Sequence, residues 1–214
     1  MSTRAPLNRE RVLRAAISLA DEAGIDALTM RRLGERLGVE AMSLYNHVAN
    51  KEDVLVGMAD TVLSEVELPA EGVDWKMAMR RRAVSVREVL VRHPWAAVLI
   101  GMLPHPGPAT LRYVDSVLGS LRRAGFTPNM ASRAFWVLDS YIYGFARQQS
   151  NVQLQQAADP DSPQATRDLP PETYPHLVEA AVSYAAGPGW NIEDEFAFGL
   201  EMILEGLDRH RGAG

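Results

Sequence analysis

The sequence predicts an all-α protein: an N-terminal tri-helical helix-turn-helix domain, then a helical-bundle domain, with about nine to ten helices in total. Three observations predict it. Apolar residues recur at three- and four-residue spacing through nearly every stretch bounded by glycine or proline. Residues that cap helices stand at the starts of those stretches. No run alternates with period two, and no segment repeats at a fixed interval.

The first helix reads from Leu7 to Ala23, with Val12, Leu13, Ala16, Ile17 and Leu19 as its inward stripe, Asn8 as a cap and Gly24 as its stop. Thr29 starts a second helix, Met30 to Leu37, which Gly38 breaks; a third, about Ala41 to Val48, follows at once. A long helix and two short ones joined by a glycine turn make a tri-helical helix-turn-helix unit over residues 1–51. Asn50 opens a fourth helix running to about Val66, with Glu52 and Asp53 at its positive end. It forms a connecting element over 52–67, and Leu68 to Gly72 marks the junction with a body at 68–214.

In the body, helices are expected from Asp74 to Arg92, briefly after His93-Pro94, from Ala109 to Ala124, and from Thr127-Pro128 as far as Gln155. Four prolines and scattered charges make 157–171 a mobile loop. Two helices close the chain, Glu172 to Ala186 and Ile192 to Asp208, on either side of a Gly-Pro-Gly turn.

Composition narrows the function classes. The 214 residues are 47% hydrophobic, enough to bury a core. No cysteine is present, which excludes disulfides, thiolate metal sites and cysteine nucleophiles, and suits a reducing compartment. The start carries no apolar signal core, and the apolar run Trp95 to Leu103 is too short for a bilayer, so a cytoplasmic protein is expected. The formal charge of -5 is unevenly placed: residues 1–51 hold eight Lys/Arg against six Asp/Glu, and the rest is acidic. Contact with phosphates is then expected at one end only. No phosphate-binding glycine loop, metal cluster or nucleophile–base pair stands out, so neither an enzyme nor a cofactor is expected.

A helix-turn-helix reads DNA by setting a short exposed helix in the major groove while its neighbours hold the backbone. The exposed side of helix three carries Ala41, Met42, Ser43, Tyr45, Asn46 and His47. Ala41 permits close approach, Ser43 and Asn46 can hydrogen-bond base edges, and Met42 can meet a thymine methyl. Thr29, Tyr45, His47 and Lys51 are placed for phosphates. Of Arg31 and Arg32, Arg31 is preferred for a guanine edge and Arg32 for a phosphate or plain surface role. Taken singly, each of these side chains would suit ordinary surface; together on one compact unit they make an interface.

From Ala15 to Lys51 the sequence resembles the TetR family of bacterial repressors. The residues that carry the likeness are Gly24, Leu28-Thr29-Met30-Arg31-Arg32-Leu33, Leu37-Gly38-Val39, Ser43-Leu44-Tyr45-Asn46-His47-Val48 and Asn50-Lys51. The Trp75 region, Ala124-Gly125-Phe126 and the proline-rich loop resemble the branch that contains the tetracycline repressor. The resemblance assigns DNA roles to Arg31, Ser43, Tyr45, His47 and Lys51. It also implies a ligand-responsive regulator, most often a repressor, released from a palindromic operator when a small molecule binds the body.

A single head covers half of a palindromic site, so a homodimer is expected. Two helices are apolar on more sides than one neighbour can cover, and Phe135, Leu138, Ile142, Phe196, Leu200, Ile203 and Leu207 are their candidate dimer contacts. The resemblance implies that these helices join their mates in a four-helix bundle; burial within the same chain is the alternative. Candidate effector contacts are Trp75, Met79, Met102, His105, Arg112, Trp136, Asp139, Tyr143 and Tyr174, apolar walls with a few polar handles. The resemblance to the tetracycline-repressor branch implies a histidine in the bend after the sixth helix that holds the ligand's magnesium. Gly101 stands at that place here, with His105 four residues later, which argues against the same metal and specificity. Ligand binding between Asp74 and Tyr143 is expected to shift helix four and change the spacing of the two heads. A body that only dimerises is the first alternative, an all-helical enzyme the second.

Overall fold

The computed structural model describes residues 6–102, 105–158, 170–186 and 191–212, except the side chains of 102, 152–158 and 184–186. Among the described residues there are ten α-helices, one short 3-10 turn at Ile25–Ala27, and no strand. The loop expected at 157–171 lies, from 159 to 169, outside the described residues, as does the Gly-Pro-Gly turn.

In the head, α1 (Arg9–Ala23) starts where the Asn8 side chain accepts the Arg11 amide at 2.8 Å, and stops at Gly24, whose φ is +79°. Helix α2 (Met30–Leu37) starts at Thr29, whose hydroxyl accepts the Arg32 amide at 3.2 Å, and ends on left-handed Gly38. The third helix is shorter than the apolar pattern suggests. After α3 (Ala41–Leu44) the chain tightens, and the amides of Tyr45, Asn46 and His47 reach carbonyls three residues back. One glycine makes the turn between α2 and α3 possible: a Cβ on Gly34 would stand 2.8 Å from the Val39 carbonyl oxygen and 3.1 Å from the Ala41 amide.

Helix α4 (Lys51–Leu63) begins with Asn50 accepting the Asp53 amide at 2.8 Å and ends three residues earlier than its apolar pattern, Val66 turning inward after it. Two ion pairs fix the head internally. Arg9 donates two bonds of 2.7 Å to Asp53, which also accepts the Ala49 amide, and Arg36 clamps Glu22 and Ser18. The Arg9 guanidinium holds the Asp53 carboxyl below its usual range.

Helix α4 packs on α1 with one side and on α5 (Trp75–Arg92), α6 (Ala96–Met102) and α7 (Pro108–Arg123) with the other. Head and body therefore share one continuous apolar core. A second joint bypasses α4: Asp21 of α1 accepts from the Trp95 indole at 2.7 Å and pairs with His93 Nδ1 at 2.8 Å, at the α5–α6 corner.

In the body, α5 lies along α8 (Pro128–Ala158), and α10 (Ile192–Arg209) packs on α8; α9 spans Pro175–Ala186. Tyr141, Phe145 and Phe196 cluster with ring centroids 5.0–5.8 Å apart, and the Tyr141 hydroxyl donates to the Phe196 carbonyl at 2.8 Å. Cations along α5 meet anions running the opposite way on α10: Lys76 with Glu205 and Asp208, Arg80 with Glu201, Arg87 with Glu193. The outer pairs add little singly but fix the register of the two helices.

Alanine is the better helix former by about 1 kcal/mol, yet Gly34→Ala is expected to destabilise the chain, because its Cβ meets backbone that cannot rotate away. Gly101→Ala, with nothing within 4 Å, is the control and is expected to be neutral or stabilising. Urea denaturation midpoints of the two variants check the sign.

Candidate functional site

The DNA-facing candidates of the head lie on the start of α2, on α3, on the tight turn after it, and on the first residue of α4. Arg31 is 84% exposed along its side chain and makes only a loose contact of 3.6 Å with Glu35. Arg32 bends back to the Ala27 carbonyl at 3.3 Å, so of the two arginines Arg31 is the one left to reach outward. Met42, Tyr45, Asn46 and Lys51 are exposed, whereas Ala41, Ser43 and His47 are half-buried. Thr29 is exposed, with its hydroxyl engaged in capping α2. Because Tyr45, Asn46 and His47 sit on 3-10-type bonds, successive side chains turn by more than they would on an α-helix.

The nine effector candidates do not come together. His105 is exposed in the bend before α7, Arg112 on the outer side of α7, Trp136 on α8, and Tyr174 just before α9. The Met102 side chain lies outside the described residues. Trp75 is buried edge-on against Phe126, centroids 4.9 Å apart, and Met79 is fully buried. Asp139 and Tyr143, one turn apart on α8, belong to a polar cluster inside the body.

The centre of that cluster is Arg82 of α5, which sequence reasoning missed. Its side chain has no exposure, and its Nη2 donates to both Asp139 of α8 and Tyr113 of α7. The rings of Tyr113 and Phe135 lie 5.0 and 5.7 Å from the guanidinium carbon. Nε and Nη1 are buried with no hydrogen-bond partner among the described residues. Burial works against the charge of Arg82, but Tyr113 and Asp139 more than offset it. Burial pushes the Asp139 carboxyl up against the pull of Arg82, and raises the Tyr113 and Tyr143 phenols. A signal for Arg82 was present: it falls on the inward stripe Trp75, Ala78, Met79, Ala83, Val86 and Leu90 of α5.

The dimer candidates need correcting by face. Leu138, Ile142, Phe196, Leu200 and Leu207 are buried in the chain's own core, with Phe135 against Arg82 and Ile203 packed beside them. The first five are closed to a partner by this burial, whereas Phe135 and Ile203 are half-buried. Among the described residues, the large apolar side chains that α8 and α10 leave uncovered are Trp136, Val137, Phe198 and Met202. Gly101 lies in α6, and among the described residues no three His, Asp or Glu side chains gather to hold a metal ion.

Residues 12–58 match the family model described as "Bacterial regulatory proteins, tetR family", and 68–211 match that for "Tetracyclin repressor-like, C-terminal domain". The chain is 33% identical, over 94% of its length and 77% of the relative's, to the HTH-type transcriptional repressor DrrR1 of Streptomyces coeruleorubidus. It is also 33% identical to the tetracycline repressor protein class D of Escherichia coli, over 95% of this chain and 90% of that one. Its fold matches the Streptomyces coelicolor TetR family protein ActR in complex with actinorhodin, with a TM-score of 0.75 and 29% identity over 97% of this chain and all of that one.

Removing one partner of a buried ion pair strands the other. Asp139→Ala is therefore expected to cost about 3–5 kcal/mol in urea denaturation, and Arg82→Met combined with Asp139→Leu to recover most of that loss. Equal costs for the single and double variants would show that Arg82 is not held by Asp139.

Proposed function

Since the chain belongs to the TetR family of bacterial transcriptional regulators, we propose that it is a cytoplasmic repressor, without catalytic activity, that leaves a palindromic operator when an oxygen-rich planar aromatic molecule enters its body. It is a ligand-responsive DNA-binding regulator by family. The head, 1–51, reads DNA through Arg31, Ala41, Met42, Ser43, Tyr45 and Asn46, with Thr29, Arg32, His47 and Lys51 on the phosphates. Helix α4 connects it to the body at 68–214.

The observation that carries the effector class is the half-paired guanidinium of Arg82. A buried N–H without an acceptor is unfavourable, so a ligand offering acidic or carbonyl oxygens stabilises any state in which it meets Arg82. The flanking rings of Tyr113 and Phe135 favour a flat aromatic frame, and Asp139 with the Tyr113 and Tyr143 phenols suits hydroxyl groups around it. Actinorhodin, the ligand in the similar ActR structure, is a probe of this chemistry. No metal is required for such contacts.

The dimer forms through the outward faces of α8 and α10. Trp136, Val137, Phe198 and Met202 form its apolar contacts, and the exposed small residues Ser140 and Gly144 let the helices approach closely. Two heads then face half-sites on successive turns of the duplex.

The test uses the tightest duplex selected from a randomised palindrome pool. Tyr45→Ala is expected to remain folded and dimeric while losing roughly tenfold or more in affinity. Actinorhodin is expected to release the wild-type chain in fluorescence polarisation, and to release Arg82→Met far less. Trp136→Arg with Phe198→Arg is expected to sediment as a monomer and to bind the duplex weakly. Unchanged DNA binding by Tyr45→Ala refutes the head assignment; full retention of the duplex at saturating actinorhodin refutes the effector class.

A further inference from the structure

We propose that Asp60 of α4 is the positioning residue that conveys the state of the Arg82 cluster to the DNA-reading head, by capping α7 from outside. Helix α7 starts at Pro108 with Gly107 before it, a residue with no side chain to cap the exposed amides. The cap comes from another helix. Asp60 Oδ1 accepts the Thr110 amide at 2.8 Å and lies 3.2 Å from the Thr110 hydroxyl. Room for it is made by Gly107, where a Cβ would stand 2.5 Å from Asp60 Cγ. The carboxylate also sits at the positive end of the α7 dipole, so the contact is directional and electrostatic together.

Tyr113 lies three positions after Thr110, one turn along the same helix. Tyr113 is bonded to Arg82, and its hydroxyl lies 3.4 Å from Asp139. A change in the pairing of Arg82 therefore moves a side chain one turn from the joint. On the other side of the joint, α4 begins at Lys51 and is tied to α1 by the Arg9–Asp53 pair. The other inward residues of α4, Val54, Met58, Ala59, Val62 and Leu63, are apolar and lack the directional bonds that would fix a rotation. The Asp60–Thr110 contact adds a directional bond to the apolar packing of α4 on α7. The second head–body joint, Asp21 with His93 and Trp95, joins α1 to the α5–α6 corner and does not touch α7.

This inference rests on the effector reading given above, and the experiment separates the two. Operator-duplex affinity is measured for Tyr113→Phe in the wild-type, Asp60→Ala and Asp60→Asn backgrounds, each with and without actinorhodin. Asparagine keeps an oxygen for the Thr110 amide. Wild-type and Asp60→Asn backgrounds are expected to respond to Tyr113→Phe and to actinorhodin by about fivefold or more, and Asp60→Ala by less than about twofold. Hydrogen exchange at the Thr110 amide reports loss of the cap in Asp60→Ala. If that variant does not fold, Gly107→Ala, which crowds Asp60 off α7, carries the same expectation. Equal responses in all backgrounds overturn the role of Asp60 and leave the effector reading standing. Absence of any response in the wild-type background removes the effector reading and this inference with it.

Discussion

Arg82 brings a full positive charge to a position with no solvent access, and the body is arranged around the need to hold it. Three helices contribute: α5 carries the guanidinium, α8 the carboxylate of Asp139, α7 the phenol of Tyr113. Because one nitrogen serves both partners, the register of α7 and α8 against α5 is fixed at a single point. A lysine could not do this, since only a planar guanidinium can lie against the rings of Tyr113 and Phe135 while pairing along its edge. Stability is a poor reason to keep such a pair, because apolar residues of similar volume usually do as well or better. Incomplete pairing supplies a better reason. A body in which two guanidinium nitrogens have no acceptor among the described residues is one that a ligand supplying those acceptors would stabilise.

The pairing of Arg82 sets a requirement on the ligand. A molecule that binds both states equally shifts nothing, however tightly it binds. Polar groups near Arg82 therefore matter more than apolar area, since apolar contacts are available in both states. The head is tied together as one unit and continues into the body. Arg9–Asp53 and Arg36–Glu22 bind its helices to each other, and α4 belongs to the head and body cores at once.

Much of this was legible in the sequence, and the gaps have physical causes. The caps at Asn8, Thr29 and Asn50 and the stops at Gly24 and Gly38 were readable because each is a local matter of one side chain or one φ angle. The third helix was legible, but its tightening after Leu44 was not, because apolar spacing over eight residues does not separate an α-turn from 3-10 turns. Gly34 passed as an ordinary helical residue; its reason is a carbonyl five residues away across a turn. Arg82 was hidden in Arg80-Arg81-Arg82, which resembles a solvated charge run. Only the register of the α5 stripe marks the third arginine as the buried one. The effector candidates were scattered for a related reason: aromatic and polar side chains at helical spacing identify helices, not which of their faces meet.

The dimer candidates of α8 and α10 divide by face. An apolar excess on α8 and α10 signalled two burials, and periodicity could not say which face served which. The structure divides them. On α8, Leu138 and Ile142 face the core with Asp139 on the same side, while Trp136, Val137, Ser140 and Gly144 face outward. The proposed effector site and the proposed dimer face are thus opposite sides of one helix. A shift of the α8 backbone that draws Asp139 away from Arg82 would also move the residues that would meet the partner. Close-packed interfaces tolerate such shifts poorly and tend to exchange between discrete arrangements. In a dimer built on α8, the two bodies would then be expected to respond together, and the spacing of the two heads would report the pairing of both Arg82 side chains rather than of either alone.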